Sequence, residues 1–253
     1  TLGYSPDSGV KLIQVGGFAF KGLNRNGKLD LYEDWRQEDE TRVQDLVLSL
    51  SVEVMAGLTM HTTMFSMDEN DGYTMTGEGL LEIVDTGLRA ILTMDSSYPI
   101  EMQVNWNNLM QKKAESMDYG IPLMVTTNPR QSGWTNNLAT SATFDTKLAK
   151  EIAIAQSKQL RAVGVRTLLG PAIDLATEPR WSHVTDSFSE DPALSRDMVN
   201  ATISGLQSTF DENETDLGWG KDSVVAMMKH WPGNAAGEGG RESHASLGKY
   251  VVY

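Results

Sequence analysis

The chain places Lys229-His230-Trp231-Pro232-Gly233-Asn234 directly after residues 223–228, an apolar run of strand length. Residues 237–244 then add three more glycines, two glutamates and a second histidine. In an α/β barrel, the chemistry lies at the carboxyl ends of buried parallel strands. The stretch therefore predicts a barrel strand that ends in a functional loop.

The rest of the chain alternates short apolar runs with amphipathic segments. Strands are expected at 83–94 (with 90–92 as the core), 121–126, 165–169 and 223–228, with a further short one near 57–60. Helices are expected at 39–50, 101–118, 146–163 and 192–210. Strands that alternate with helices predict a parallel sheet and an α/β, TIM-barrel-like fold.

These strands are too few to close an eight-stranded barrel. We therefore expect only the N-terminal part of a (β/α) barrel, an incomplete barrel from a longer or nicked polypeptide. The expected domain organisation is an irregular N-terminal extension at 1–38, followed by the partial barrel at 39–253.

The composition excludes several classes of partner and site. The formal net charge of −13 argues against nucleic acid and anionic membranes as partners, since both attract basic patches. No apolar run approaches the ~18 residues of a membrane span. The chain has no cysteine, which excludes disulfides and thiolate zinc sites. The start at Thr1 fits removal of an export signal or trimming, and we expect a periplasmic or secreted protein rather than a cytoplasmic one.

Three ordered motifs resemble those of glycoside hydrolase family 3, the β-glucosidase-like enzymes. The stretch 229–233 is similar to the family's Lys-His-Phe-Pro-Gly, with Trp231 in place of Phe. Residues 169–181 resemble a second signature, and 187–192 resemble Thr-Phe-Gly-Glu-Asp-Pro. The similarity runs from about Phe18 to the last residue. It implies part of a retaining, exo-acting β-glycosidase that hydrolyses O-glycosyl bonds at non-reducing ends.

The resemblance assigns a sugar-binding subsite to Asn128, Arg180, Lys229 and His230. Their hydrogen-bond donors can bind sugar hydroxyl groups, and the Arg180 guanidinium offers a planar fork of donors. The alternative roles are a salt bridge for Arg180, a hydrogen-bonded core position for His230 and a turn before proline for Asn128. Many relatives have aspartate where Asn128 stands, so its grip on a sugar is in question. Trp181 and Trp231 either face the sugar or pack in the core.

The catalytic groups implied by the family are not matched in this chain. The nucleophilic aspartate is expected after Tyr253, and the acid/base in a following domain. In one subgroup a histidine serves instead, which makes His244 a candidate acid/base, although a loop-structuring role is the preferred interpretation. Asp174, Glu190 and Asp191 are interpreted as structural. His183 stands where relatives often have arginine, which weakens the expected ion pairing of its loop.

Other interpretations of the function stay open. The chain can be a catalytically inactive sugar-binding or structural fragment, or part of a β-N-acetylglucosaminidase or β-xylosidase of the same family. Another alternative is a metal hydrolase that uses His230 and His244 with Glu238 or Glu242, but these residues do not have the His-Glu-X-X-His spacing of a helical zinc site. Residues 24–29 with Glu33 resemble an EF-hand loop that has Gly22 at its first ligand position. We expect no metal and no cofactor. The expected partners are a saccharide and the C-terminal remainder of the enzyme.

Overall fold

The computed structural model of the protein describes residues 2–64, 87–93, 99–128, 135–231 and 236–242. Its contacts divide the chain into two compact units. The first comprises Thr1–Leu92 and Tyr98–Met124, and the second comprises Thr93–Ser97 and Val125–Tyr253. Within the described ranges, no helix is long and apolar enough to cross a membrane.

The first unit opens with an antiparallel hairpin of β1 (Lys11–Val15) and β2 (Phe18–Gly22). The connecting Gly16 and Gly17 have φ of +59° and +82°. Two positive φ values are what a tight two-residue hairpin turn requires, and Gly-Gly supplies them without strain. Phe20 is fully buried and stacks on Trp35. The expectation of an irregular segment over 1–38 is therefore wrong at 11–22.

Three helices and two strands follow the hairpin. The helices are α1 (Asp39–Ser49), α2 (Val52–Leu58) and α3 (Ile100–Ser116), and the strands are β3 (His61–Met64) and β4 (Ala90–Thr93). The first and third helices and the strand at 90–92 are confirmed. The short strand expected near 57–60 is wrong, because the Ser51 side chain caps a helix there by accepting from the Val54 N–H. The strand begins at His61 instead.

The second unit alternates strands and helices. It contains β5 (Met124–Thr127, from Val125 onward), α4 (Asn137–Ser141), α5 (Thr146–Ala162), β6 (Thr167–Leu168), α6 (Pro192–Gln207) and β7 (Val225–Ala226). The three strands are parallel in the order β5-β6-β7. Helix α4 was not predicted, whereas the other five elements were. The carboxyl ends of the three parallel strands lie at one edge of the sheet.

Helices α5 and α6 pack closely against each other and against the segment between β6 and α6. Phe188, Met198 and Ala149 form part of their shared core. The Asp191 side chain caps α6 by accepting from the N–H groups of Ala193 and Leu194, at 2.7 and 2.9 Å. This cap confirms that Asp191 is structural. The two helices thus share one apolar core with the segment that precedes α6.

Candidate functional site

Two predicted site residues from different strands meet at the carboxyl edge of the sheet. Asn128 directly follows β5, and Lys229 lies three residues beyond the end of β7. The Lys229 Nζ donates to the Asn128 Oδ1 at 3.0 Å. The Lys229 backbone is fixed as well, since its N–H donates to the Pro171 carbonyl at 3.1 Å and its carbonyl accepts from the Ile173 N–H at 2.7 Å.

The next residue, His230, is held by a buried carboxylate. The Asp174 side chain is only 1% exposed, and its Oδ2 lies 3.0 Å from the His230 Nδ1. Its Oδ1 accepts from the His230 backbone N–H at 3.4 Å. This contact fixes the ring and places the proton of a neutral imidazole on Nδ1. The interpretation of Asp174 as a structural residue is confirmed.

Arg180 forms a bidentate salt bridge with a near neighbour. Its Nε and Nη2 donate to the two carboxylate oxygens of Glu178 at 3.0 and 2.7 Å. The side-chain hydrogen bonds from Arg180, followed by the bond from its backbone N–H, lower the pKa of Glu178 to about 2. The same bonds raise the pKa of Arg180. The Arg180 side chain is 71% exposed, so its fork is accessible from solvent.

The segment after Arg180 is tied to the loop 236–242 by one carboxylate. The Glu242 Oε2 accepts from the Trp181 Nε1 at 2.9 Å and from the Ser182 Oγ at 3.3 Å, and it lies 2.8 Å from the His183 Nε2. Trp181 is 2% exposed, which bears out its core alternative, whereas Trp231 is 73% exposed. Trp231 therefore presents an apolar face next to His230.

Among the described residues, no group of three His, Asp or Glu side chains is arranged to hold a metal ion. In the EF-hand-like loop, Glu33 accepts instead from the backbone N–H groups of Leu23, Asn24 and Asp30. The amides of Asn24 and Asn26 both donate to Asp30. These hydrogen bonds tie the loop to Glu33 and Asp30.

The roles predicted for His244 and Glu190 stay predictions. His244 lies outside the described residues, so its acid/base role stays a prediction. Glu190 is exposed at the surface. A cavity of about 320 Å³ lies elsewhere in the second unit, between α5 and the segment before α6, with Thr140, Gln156 and Phe188 in its wall. None of the four predicted sugar-binding residues lines it, so we do not assign the site to this cavity.

Comparison with known proteins agrees with the motifs. The profile of the glycosyl hydrolase family 3 N-terminal domain matches residues 81–250. The chain belongs to this family. It is 33% identical to a periplasmic β-glucosidase/β-xylosidase from Dickeya chrysanthemi, over 97% of the chain and 39% of that protein. It is 28% identical to β-glucosidase C from Emericella nidulans, over 91% of the chain and 38% of that protein. This family 3 chain thus spans about two fifths of the length of these curated relatives.

Solved structures show the same fold. A β-glucosidase from Erythrobacter marinus superposes with a TM-score of 0.66 at 19% identity, over 84% of this chain and 28% of that one. A β-glucosidase from Listeria innocua gives 0.61 at 22% identity, over 81% and 28%. The family 3 chain therefore has the fold of the N-terminal part of a TIM-barrel-like domain, as its alternating elements predicted.

The contact of Glu242 with His183 in this family 3 chain joins two residues of separate segments. The sequence suggests Glu242 only as a ligand of a metal hydrolase, and it predicts weaker ion pairing in the loop that holds His183. The two residues are 59 positions apart, so no local spacing signals the contact. The available hint is the resemblance, which implies an arginine at position 183, because arginine also favours carboxylate partners.

Proposed function

We propose that this chain supplies the sugar-binding subsite of a retaining, exo-acting β-glycosidase of the β-glucosidase type. The full-length enzyme would hydrolyse O-glycosyl bonds at the non-reducing ends of its substrates. The observation that carries the proposal is the contact of Lys229 with Asn128 at 3.0 Å, beside a His230 held by buried Asp174. This juxtaposition gathers cationic, amide and imidazole groups at the carboxyl edge of parallel strands, where barrel enzymes bind substrate.

The chemical character of these groups suits a sugar. The Lys229 ammonium carries three donors, and the Asn128 amide both donates and accepts. A pyranose presents hydroxyl groups with both capacities on its rim and C–H groups on its faces. The exposed indole of Trp231 offers an apolar surface for such a face. Arg180 would contribute, from the same unit, guanidinium donors beyond the two that Glu178 accepts.

The bond-breaking step needs a nucleophilic carboxylate and an acid/base carboxyl about 5–5.5 Å apart in a retaining enzyme. We propose that the remainder of the full-length enzyme supplies both. The protein partner of this chain would then be that remainder, and its ligand a β-glucoside or oligosaccharide. The similarity to a relative named periplasmic supports a periplasmic or secreted location.

The test uses the full-length enzyme with chromogenic aryl β-glucoside, β-xyloside and β-N-acetylglucosaminide. We expect turnover of the glucoside, with kcat/KM reduced about 100-fold in Lys229→Ala because a charged donor to the sugar is lost. Lys147→Ala is the matched control, since Lys147 is 75% exposed on α5. It should leave kcat/KM unchanged.

The outcomes separate the alternatives. Preferential turnover of the xyloside or the N-acetylglucosaminide would reassign the sugar within the same family. Binding of glucose by calorimetry without turnover of any of the three would support an inactive sugar-binding protein. If Lys229→Ala and Lys147→Ala behave alike, the proposed subsite is wrong.

A further inference from the structure

The imidazole of His183 lies between two carboxylates. Its Nδ1 is 3.1 Å from the Asp186 Oδ2, and its Nε2 is 2.8 Å from the Glu242 Oε2. The side chains of His183, Asp186 and Glu242 are 17, 21 and 22% exposed, so the cluster is partly shielded from solvent. Only an imidazolium, with an N–H on each nitrogen, can donate to both carboxylates at once.

The carboxylate on the Nε2 side belongs to a loop that lies directly on Arg180. A Cβ added to Gly240 would be 2.9 Å from the Arg180 Cβ and 3.0 Å from its carbonyl carbon. Gly240 also has a φ of +80°, which glycine adopts most readily. The loop is closed on itself by the Gly237 N–H, which donates to the Arg241 carbonyl at 2.8 Å. The tie through Glu242 therefore holds this loop against the segment that carries Arg180.

We propose that His183 and Glu242 are positioning residues that form a proton-dependent clamp between segment 180–183 and loop 236–242. When His183 is protonated, it donates to Asp186 and Glu242 together. When it loses the proton, one ring nitrogen becomes an acceptor facing a carboxylate, so one of the two contacts changes from attraction to repulsion. The Trp181 and Ser182 bonds to Glu242 then hold the loop without their charged partner.

The charged surroundings fit this role. Asp186 faces the ring from the short 3₁₀ helix Val184–Asp186, and Glu242 faces it from the loop. From α4, Asn137 contributes a neutral amide that donates to the Asp186 backbone carbonyl. Arg180 is engaged with Glu178, and Arg241, which precedes Glu242 in the chain, is exposed. An arginine at position 183 would keep its charge at every relevant pH.

The sign of the pH dependence follows from the proton. The clamp is closed where the imidazole is charged and the carboxylates are ionised, and it weakens as rising pH removes the proton. Its effect on sugar binding through Arg180 rests on the proposed function, whereas the clamp itself does not.

The experiment is hydrogen exchange by mass spectrometry on the full-length protein, with peptides that cover residues 236–242. Wild type is compared at each pH with His183→Arg, which keeps the positive charge, and with His183→Gln, which has none. Comparison at matched pH cancels the intrinsic pH dependence of exchange. At pH 6, wild type should match His183→Arg within about twofold, and at pH 8.5 it should exchange about tenfold faster, as expected for the loss of a charged hydrogen bond.

His183→Gln provides the second measurement should the arginine variant fail to fold. Wild type should be protected relative to His183→Gln at pH 6 and should approach it at pH 8.5. A difference between wild type and His183→Gln that stays constant with pH would overturn the clamp. So would exchange in His183→Arg that follows the wild-type pH profile.

Glucose affinity of the same three proteins, measured by calorimetry, separates this proposal from the function. If the clamp positions Arg180 for sugar, the wild-type affinity relative to His183→Arg should fall several-fold between pH 6 and pH 8.5. If exchange follows the prediction and no protein binds glucose, the clamp stands and the proposed function fails.

Discussion

At the scale of single residues, Asn128 is where this chain departs most clearly from the pattern it resembles. Its amide oxygen accepts from the Lys229 ammonium at 3.0 Å. A carboxylate there would form a salt bridge with the ammonium and would also be a stronger acceptor for sugar hydroxyls. The neutral amide therefore keeps the geometry of the pair at a lower strength.

We predict that Asn128→Asp tightens glucose binding to the full-length enzyme by about 3- to 10-fold, because a hydrogen bond to a charged group contributes more than a neutral one. Isothermal titration calorimetry measures the effect. Asn128→Ala is the matched control and should weaken binding. Equal affinities in all three proteins would show that residue 128 does not contact the sugar.

The Glu178–Arg180 pair gives a second prediction at this scale. A carboxyl group whose pKa is lowered on folding stabilises the fold at pH values above its unfolded pKa of about 4.3. For Glu178 this stabilisation is lost as the pH falls through its folded pKa of about 2. Wild type should therefore exceed Glu178→Gln in unfolding free energy at pH 6, and the difference should shrink towards zero near pH 2. Urea unfolding at pH 6, 4 and 2.5 measures it. A difference that stays constant over this range would contradict the assignment.

At the scale of elements, the approach of α5 and α6 depends on a glycine. A Cβ on Gly205 would lie 2.6 Å from the Lys150 carbonyl oxygen and 2.7 Å from the Ala153 Cβ. Real Cβ atoms do not approach other atoms so closely, and one of the two partners is helix backbone that cannot move by itself. The two helices can therefore pack this closely only because residue 205 has no side chain.

We predict that Gly205→Ala destabilises the protein by about 1–3 kcal/mol through overpacking, despite the better helix propensity of alanine. Asn200→Ala on an exposed position of the same helix is the control, and it should be neutral or slightly stabilising. Urea unfolding of both variants tests the prediction. An equally stable Gly205→Ala would show that the helices can separate at little cost.

At the scale of the whole molecule, coverage of relatives is the informative observation. The chain covers 39 and 38% of two curated relatives while it aligns over nearly all of its own length. We predict that the native polypeptide has an intact mass well above the 27.8 kDa of these residues. Mass spectrometry of the protein purified from its source measures this. A native mass of 27.8 kDa with full glycosidase activity would contradict both this prediction and the proposed division of labour.

Much of the second unit could be predicted because its signals are local. The apolar face of α5 and the proline at the start of α6 mark helices by spacing and by end residues. The hairpin at 11–22 was not predicted because the expected irregularity rested on glycines, prolines and asparagines, whereas Gly16-Gly17 between two runs rich in apolar residues indicates a tight turn. Lys229 and Asn128 could be predicted as candidate site residues, but their contact could not.

The family, the alternation of strands and helices, and the residue types at the strand ends could be predicted from local sequence, since these depend on neighbours within a few positions. The contacts of Lys229 with Asn128, of His230 with Asp174 and of His183 with Glu242 become visible only in the folded chain. Each joins residues 56 to 101 positions apart. Such contacts follow from the register of parallel strands and from helix packing, which no short stretch of sequence encodes.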